Sequence, residues 1–295
     1  MTEYVRTGSA YPVAPPLPTT ETVGVSGSPY VLGHSEHELE RLARQAALIG
    51  PVTRALLVEA GVAPGMRVLD VGTGRGDVAL IAAELVGEEG SVVGVDVAPS
   101  AVAAARERVA GLPLRNVSFR EGDPAALDYE QPFDAVVGRY VLQFIPDPSG
   151  TLRRLAANVV PGGVVAFHEI DWTGHRSFPV VELWDRCCSL ATEALAAGGA
   201  DTQIGAKLPA VFAAAGLDAP TLRMSTVVGG GARSDDAVAR LIRLFTTLRP
   251  VLEKRGLVAP DELDPASLEQ QLRTEITSRN SFVHSSSDVT AWSRL

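Results

Sequence analysis

The sequence predicts an α/β fold built on a doubly wound, mostly parallel sheet of seven strands. Short apolar segments alternate with amphipathic ones between residues 67 and 167, and a glycine-rich turn follows the first apolar segment. Short apolar runs of this kind are typical of parallel strands that are covered by helices on both faces. The predicted strands are Arg67–Val71, Ser91–Val95, Val117–Phe119, Phe133–Val137, Val164–Phe167, Thr221–Val228 and a last strand from Phe282 to near Trp292.

Helices are predicted where apolar residues recur at steps of three and four. Between the early strands these segments are Asp77–Leu85, Ser100–Ala110 and Thr151–Val159, followed by residues 177–198 and 204–216. Two further helices, around Val238–Leu248 and Ser267–Thr277, separate the last two strands, and we expect them to form a lid over one end of the sheet. Before the first strand, a helical pattern from Ser35 is interrupted at Gly50-Pro51, and a second short helix runs from Thr53 to Gly61.

These patterns predict four regions. Residues 1–29 are rich in Pro, Gly, Ser and Thr, a composition that buries little apolar surface and predicts a flexible arm. Residues 30–61 form an N-terminal helical cap, residues 62–175 form the cofactor-binding core, and residues 176–295 complete the sheet and carry the helical lid.

The charge, the cysteines and the apolar runs of the chain disfavour several classes of function. The chain has 26 basic and 35 acidic residues, a net charge of −9, which disfavours binding to a nucleic acid backbone. Cys187 and Cys188 are adjacent, which fits neither a stapling disulfide nor metal-ligand spacing. The chain has no apolar run of membrane length and no signal-peptide core, so we predict a cytoplasmic protein with a small-molecule substrate and no membrane partner. The sequence leaves open whether the protein forms a homodimer.

The chemistry-bearing motif is a glycine-rich turn between the first strand and the first helix of the core. It reads Asp70-Val-Gly-Thr-Gly-Arg-Gly76. Glycines let a ligand approach the backbone, and the following helix N-terminus offers unpaired N–H groups. Asp96 ends the second strand, where a carboxylate can accept both hydroxyls of a ribose. The motif therefore predicts a cofactor that contains adenosine.

The identity of that cofactor can be argued from the residues around the glycines. Counted from Gly72, the sixth position of a dinucleotide fingerprint is Asp77 instead of Gly or Ala, and no Gly-Lys-Ser/Thr follows. The acidic Asp70 would repel a pyrophosphate but suits a cationic amino acid tail. S-adenosylmethionine has such a tail, with an ammonium and a sulfonium.

The same segments resemble those of the class I S-adenosylmethionine-dependent methyltransferases, specifically the small-molecule methyltransferase type 11/UbiE-like group. The resemblance covers about residues 65–170 and implies a Rossmann-like sheet. It rests on Val68–Gly76, Val93–Asp96, Glu121-Gly-Asp123, Phe133–Val137, and Leu152–Leu155 followed by Pro161-Gly-Gly163. The N-terminal stretch Tyr30–Leu42 and the ending Ala291–Arg294 also look like a bacterial subgroup of this family.

The resemblance implies cofactor contacts position by position. Asp70 lies near the ammonium, Asp96 holds the ribose diol, and Asp123 accepts the adenine amino group. The remaining implied cofactor contacts are Gly72, Thr73 and Gly74 on the methionine and ribose, Val97 and Pro124 beside adenine, Gly138 and Arg139 at the methionine portion, and Tyr30 and Gln45 closing over the carboxylate.

Acceptor residues are expected beyond the carboxyl ends of the strands. We predict that Glu169 and His168 handle the proton or orient the acceptor, with Tyr30 beside them. Because side chains alternate along a strand, we expect only one of the pair to face the pocket. The predicted acceptor-binding residues are His34, Tyr140, Gln143, Asp171, Trp172 and Trp184. Glu169 and Asp171 could also ligate a divalent ion, but without further ligands no metal site is predicted.

The sequence therefore predicts in-line methyl transfer to a small organic acceptor. No Asn/Asp-Pro-Pro-Tyr/Phe tetrapeptide follows the fourth strand, which disfavours amide and nucleobase acceptors. The tryptophans and tyrosines favour a phenol- or indole-like metabolite of bacterial specialised metabolism, and a carbon, oxygen or nitrogen acceptor is left open. The alternatives are an NAD-dependent oxidoreductase and a protein that binds S-adenosylmethionine without transferring its methyl group.

Overall fold

A computed structural model describes residues 49–260 and 262–295. The described chain is helical from residue 49 to residue 60 (α1), so Gly50 and Pro51 have helical backbone and no separate helix begins at Thr53. The elements that follow are β1 (Arg67–Val71), α2 (Asp77–Val86), β2 (Ser91–Asp96), α3 (Pro99–Ala110), β3 (Val117–Glu121) and β4 (Phe133–Arg139).

The second half of the described chain contains both predicted and additional elements. A 3₁₀ turn at Leu142–Phe144 is followed by α4 (Pro148–Ala156), β5 (Val159–Asp171), β6 (Arg176–Phe178), α5 (Glu182–Ala197), α6 (Ile204–Ala215), β7 (Thr221–Gly230), α7 (Asp235–Lys254), α8 (Pro265–Ser278) and β8 (Phe282–Arg294). The helix predicted from residue 177 begins only at Glu182. Pro179 disfavours helical backbone at Phe178, and Phe178 instead pairs with Phe282 of β8.

The sheet confirms the predicted fold class. Its order is β3-β2-β1-β4-β5-β8-β6, with β7 paired to β8. Strands β1 to β5 pair in parallel, whereas β8 runs antiparallel to β5, β6 and β7. Within the described residues the sheet has eight strands instead of the predicted seven, because the three-residue β6 pairs with the first residues of β8.

Three clusters of buried side chains hold the layers together. On one face of the sheet, α1, α2 and α3 contribute Leu57, Ala82 and Val102. On the other face, α4 and α6 contribute apolar side chains such as Leu155 and Phe212. The third cluster joins α5, α7 and α8, and Phe144 and Trp172, which follow β4 and β5, pack against it. The inserted helices therefore form a lid layer at the carboxyl ends of β4 and β5, as the fold class predicted.

Candidate active site

The glycine-rich turn has backbone that favours glycine. Gly72, Gly74 and Gly76 have φ values of 63°, 54° and 81°, which lie in the left-handed region. A Cβ on Gly72 would lie 2.6 Å from Cγ2 of Val141, whereas a Cβ on Gly74 would have no heavy atom of residues 49–260 or 262–295 within 4 Å. Among these residues the turn is therefore packed at Gly72 and open at Gly74, which suits the approach of a ligand to the backbone at Gly74.

Asp70 lies beside this turn with one carboxylate oxygen unused. It is fully buried, and Oδ2 accepts a hydrogen bond of 2.6 Å from Oγ1 of Thr73. Oδ1 has no partner among the described residues. Burial raises the pKa of Asp70 to about 7, although the Thr73 hydrogen bond and the charge of Arg139 act in the opposite direction. A buried carboxylate with a free oxygen is stabilised in its ionised form by a cation, which is what an ammonium group would supply.

Asp96 closes the other side of the turn. Oδ2 accepts from the amide of Gly74 and Oδ1 accepts from the amide of Ala98, each at 2.9 Å. Each oxygen retains acceptor capacity, so the carboxylate can still receive two ribose hydroxyls. The next residue, Val97, is 68% exposed, which leaves an apolar side chain open beside this carboxylate.

Asp123 and Pro124 form a turn after β3. Oδ1 of Asp123 accepts from the amide of Ala125 at 2.9 Å, and its backbone oxygen accepts from Ala126 and Leu127. The side chain is exposed and Pro124 is buried. The structure thus gives Asp123 a turn-forming role that is compatible with its second oxygen accepting from an adenine amino group.

The end of β4 is crowded. A Cβ on Gly138 would lie 2.6 Å from Cε1 of Phe167, so close packing of β4 on β5 already requires glycine there. Arg139 donates to Oδ2 of Asp77 and to Oγ1 of Thr53, both at 3.2 Å. Tyr140 follows with φ of 58°, a left-handed conformation that is uncommon for a residue with a side chain and that clusters at functional sites.

Glu169 is fully buried and holds the turn that follows β4. Its Oε1 accepts from the amides of Val141 and Leu142 at 3.0 and 2.9 Å. Burial raises the pKa of Glu169 to about 8, against the lowering effect of those amides. Because Val141 packs on Gly72, Glu169 fixes one wall of the glycine-rich turn. This placement gives Glu169 a role in holding the turn through Oε1, whereas its buried Oε2 has no partner among the described residues. The catalytic role predicted for Glu169 stays a prediction.

His168 faces the opposite side of β5 and is also fully buried. Its Nδ1 lies 3.1 Å from Oγ1 of Thr53, and its Nε2 lies 3.3 Å from Oδ1 of Asp288. Burial lowers the pKa of His168, so the imidazole is neutral. The alternation expected along β5 is present, but neither side chain is open to solvent. His168 contacts Tyr140 through ring packing at 5.1 Å, through the shared Asp288, and through its backbone oxygen, which accepts from the amide of Tyr140 at 2.8 Å. These contacts give His168 a role in holding Tyr140, and its proton-handling role stays a prediction.

The predicted acceptor residues divide into two groups. Trp172 donates from Nε1 to Oε1 of Gln143 at 3.2 Å, and Nε2 of Gln143 donates to the backbone oxygen of Tyr140 at 3.3 Å. Gln143 therefore links the Trp172 side chain to the backbone of Tyr140 beyond β4 and β5, and Asp171 precedes Trp172 with Oδ1 accepting from Thr173.

Trp184 belongs elsewhere. It is fully buried in the cluster of α5, α7 and α8, and its Nε1 donates to the backbone oxygen of His284 at 3.2 Å. We therefore correct its predicted role at the acceptor to one in the core of the lid layer.

Tyr30, His34 and Gln45 lie outside the described residues. Among residues 49–260 and 262–295, no group of three or more histidine, cysteine, aspartate or glutamate side chains is placed to hold a metal ion. Nor does the described part of the chain contain a helix that is long and apolar enough to cross a membrane.

The sequence reasoning missed Thr53, Arg240 and Asp288. Asp288 lies in β8 and is 2% exposed. Its carboxylate accepts hydrogen bonds from Tyr140 and Arg240 and lies 3.3 Å from Nε2 of His168. The available signal was that Asp288 is the one acidic residue of β8 (Phe282–Arg294), because a buried carboxylate requires partners.

Fold and site together define a Rossmann-like α/β protein that binds a nucleoside cofactor at the carboxyl edge of its parallel strands. Residues 63–214, more than half of the chain, match the family model of the methyltransferase domain. The chain therefore belongs to the class I S-adenosylmethionine-dependent methyltransferases. This membership disfavours the oxidoreductase alternative.

Relatives of known function match part of the chain. Aklanonic acid methyltransferase DauC of Streptomyces sp. (strain C5) is 39% identical over 118 residues, which are 40% of this chain and 54% of DauC. Nocamycin O-methyltransferase of Saccharothrix syringae is 37% identical over 135 residues, 45% of this chain and 46% of that enzyme. The matches thus span about half the length of these relatives.

A solved structure is similar over more of the chain. The putative methyltransferase BH2331 of Bacillus halodurans C-125 aligns with a TM-score of 0.56 at 15% identity, covering 82% of this chain and 97% of that one. At this level of identity, the similarity concerns the fold.

Proposed function

We propose that this protein transfers the methyl group of S-adenosylmethionine to a small aromatic or heteroaromatic acceptor. The observation that carries the proposal is buried Asp70, whose Oδ1 has no hydrogen-bond partner in the described part of the chain, beside a glycine-rich turn that the same residues leave open at Gly74. Together with Asp96 at the end of β2, this arrangement fits a ligand with an ammonium at one end and a ribose at the other.

The chain's own residues would bind and orient the cofactor. Asp70 receives the ammonium, Asp96 receives the ribose hydroxyls, and exposed Val97 covers one face of the adenine. The cofactor supplies a methyl group already activated by the sulfonium. The remaining work is alignment of the acceptor and exclusion of water, which is why a fixed turn after β4 matters.

The acceptor would meet Tyr140, which follows β4, and Trp172, which follows β5; Gln143 links the Trp172 indole to the backbone of Tyr140. An aromatic side chain and a phenol suit a flat acceptor that carries a hydrogen-bonding group. DauC and the nocamycin enzyme, named for aklanonic acid and nocamycin, support an acceptor from specialised metabolism. Tyr30, His34 and Gln45 stay predicted contacts. The region boundaries, a cytoplasmic location, the absence of a nucleic acid partner and a homodimer also stay predictions.

Calorimetric titration tests the cofactor. We expect S-adenosylmethionine and S-adenosylhomocysteine to bind and NAD not to bind, and the reverse result would refute the assignment. A protein that binds S-adenosylmethionine without transferring methyl would give the same isotherm. Turnover with a methyl-labelled cofactor separates these two functions, because only a transferase releases S-adenosylhomocysteine with a labelled product.

A further inference from the structure

The network centred on Asp288 joins four parts of the fold. Asp288 of β8 accepts from the phenol of Tyr140 after β4, and Oδ1 also lies 3.3 Å from Nε2 of His168 on β5. Arg240 of α7 donates to Oδ2 at 3.2 Å and to Oγ of Ser286 at 3.1 Å. A buried carboxylate is costly unless it is paired, and here donors reach both of its oxygens.

Asp288 is ionised in this setting. Burial on its own would raise the pKa, but the hydrogen bond from His168 and the charge of Arg240 hold the pKa of Asp288 well below its usual range. An ionised carboxylate has no hydrogen to donate and can only accept hydrogen bonds. The Tyr140 phenol and the His168 Nε2 must therefore both donate to it.

The proton on Nε2 fixes the tautomer of His168. Nδ1 is then an acceptor, and Thr53 Oγ1, 3.1 Å away, is the donor that satisfies it. The same Thr53 oxygen accepts from Arg139 at 3.2 Å. One chain of hydrogen bonds thus runs from Arg139 through Thr53 and His168 to Asp288, and each group donates to the next.

The phenol of Tyr140 is fixed by the same carboxylate. Burial and then the charge of Asp288 raise the pKa of Tyr140 well above its usual value, so the phenol stays neutral and its hydrogen is committed to Asp288. Arg240 also hydrogen-bonds the phenol oxygen, so what Oη can still offer to a ligand is one lone pair. The backbone at Tyr140 has φ of 58°, so the surrounding contacts must hold the residue in place.

We propose that Asp288, supported by Arg240 from the inserted helix α7, is the positioning residue of the acceptor site. It holds the Tyr140 phenol as a hydrogen-bond acceptor for an O–H or N–H group on the methyl acceptor. The proposal rests on the proposed function and deepens it, because it assigns the acceptor a proton-bearing heteroatom close to the methylated position. It also gives α7 a part in building the site.

The proposal is tested first by NMR of protein with ¹⁵N-labelled histidine, which needs no acceptor. The chain has five histidines, so His168→Gln identifies the His168 signals. We expect a neutral His168 with the proton on Nε2 in the wild type. In Asp288→Asn we expect loss of this single tautomer. A proton on Nδ1 in the wild type, or an unchanged spectrum in Asp288→Asn, would overturn the proposal.

Kinetics of Asp288→Asn and Tyr140→Phe provide the second test. We expect kcat to fall at least about tenfold in both, with the Kd of S-adenosylmethionine changed by less than about threefold, because Arg139 keeps its contacts with Asp77 and Thr53. Asp288→Glu should recover part of the loss. Asp236→Asn, an exposed residue on the same helix as Arg240, is the matched control and should behave as wild type.

Each outcome is informative. Turnover of Asp288→Asn and Tyr140→Phe within about twofold of wild type contradicts the positioning role. Should Asp288→Asn fail to fold, Tyr140→Phe and the wild-type histidine spectrum decide. If the wild type releases no S-adenosylhomocysteine with any acceptor, the proposed function fails, whereas the NMR result still tests the tautomer and the role of Asp288 in fixing it.

Discussion

Replacing Asp70 by asparagine should make the cofactor-free protein more stable at pH 8, and it should weaken cofactor binding. Asp70 is fully buried and its pKa is about 7, against a usual value of 3.8. Because the pKa is raised in the folded state, the carboxyl group favours folding less as pH rises from about 3.8 to about 7. Asparagine does not titrate, so the comparison isolates this effect.

The size of the effect follows from the two pKa values. The raised pKa of Asp70 costs the folded state about 2 kcal/mol at pH 5 and about 4 kcal/mol at pH 8. The asparagine amide, if it finds no acceptor, costs about 1–3 kcal/mol at both pH values. This cost does not depend on pH and therefore cancels in the difference. The stability of Asp70→Asn relative to wild type should thus increase by about 2–3 kcal/mol between pH 5 and pH 8.

Urea unfolding of both proteins at pH 5 and pH 8, without cofactor, measures this difference. Asp128→Asn, an exposed loop residue, is the matched control and should show no such change. A difference below about 0.5 kcal/mol would refute the reasoning, since it would mean that Asp70 titrates near its usual pKa.

The same carboxylate makes cofactor binding depend on pH. If the cation of S-adenosylmethionine needs ionised Asp70, wild-type affinity should fall about tenfold more from pH 8 to pH 6 than the affinity of Asp70→Asn does. Calorimetry at the two pH values measures this. Parallel pH profiles for the two proteins would show that Asp70 does not receive the cation.

Three further changes test other parts of the site. Asp96→Ala should weaken S-adenosylmethionine more than about tenfold, because charge-assisted bonds to the ribose are lost; unchanged calorimetric affinity would remove Asp96 from the ribose. Glu169→Gln keeps the acceptor for the amides of Val141 and Leu142 and should retain turnover within about threefold, whereas Glu169→Ala should lose it. A fall in turnover of more than about tenfold in a stable Glu169→Gln variant would support the catalytic role predicted for Glu169. Trp184→Ala should lower the free energy of unfolding by about 3–5 kcal/mol, and Trp184→Phe should retain turnover if the ring serves only the core.

The sequence predicted most of the sheet because its strands are local apolar runs. The ends of β1 and β2, and with them Asp70 and Asp96, follow directly from the motif. The short β6 was missed because three residues carry no periodicity, and their pairing with Phe282 depends on residues about a hundred positions away. The start predicted for the next helix, at residue 177, was wrong for the same reason; the helix begins at Glu182.

The sequence predicted only those parts of the site whose residues lie close together in one motif. His168 and Glu169 were singled out by position, but their roles depend on neighbours that the sequence does not place beside them. Glu169 meets the amides of Val141 and Leu142, 28 and 27 residues away. His168 meets Asp288, 120 residues away. Contacts of this range are set by the sheet order, which brings β8 beside β5.

Turnover with S-adenosylmethionine that carries a trideuterated methyl group, followed by mass spectrometry, tests the central claim most directly. The acceptors are phenols, hydroxyquinones, indoles and the small-molecule fraction of a bacterial extract, with Asp96→Ala as the matched control. We predict release of S-adenosylhomocysteine together with an aromatic product that is heavier by one labelled methyl group. S-adenosylmethionine that binds but yields no S-adenosylhomocysteine above the protein-free level, with any acceptor, would contradict the account.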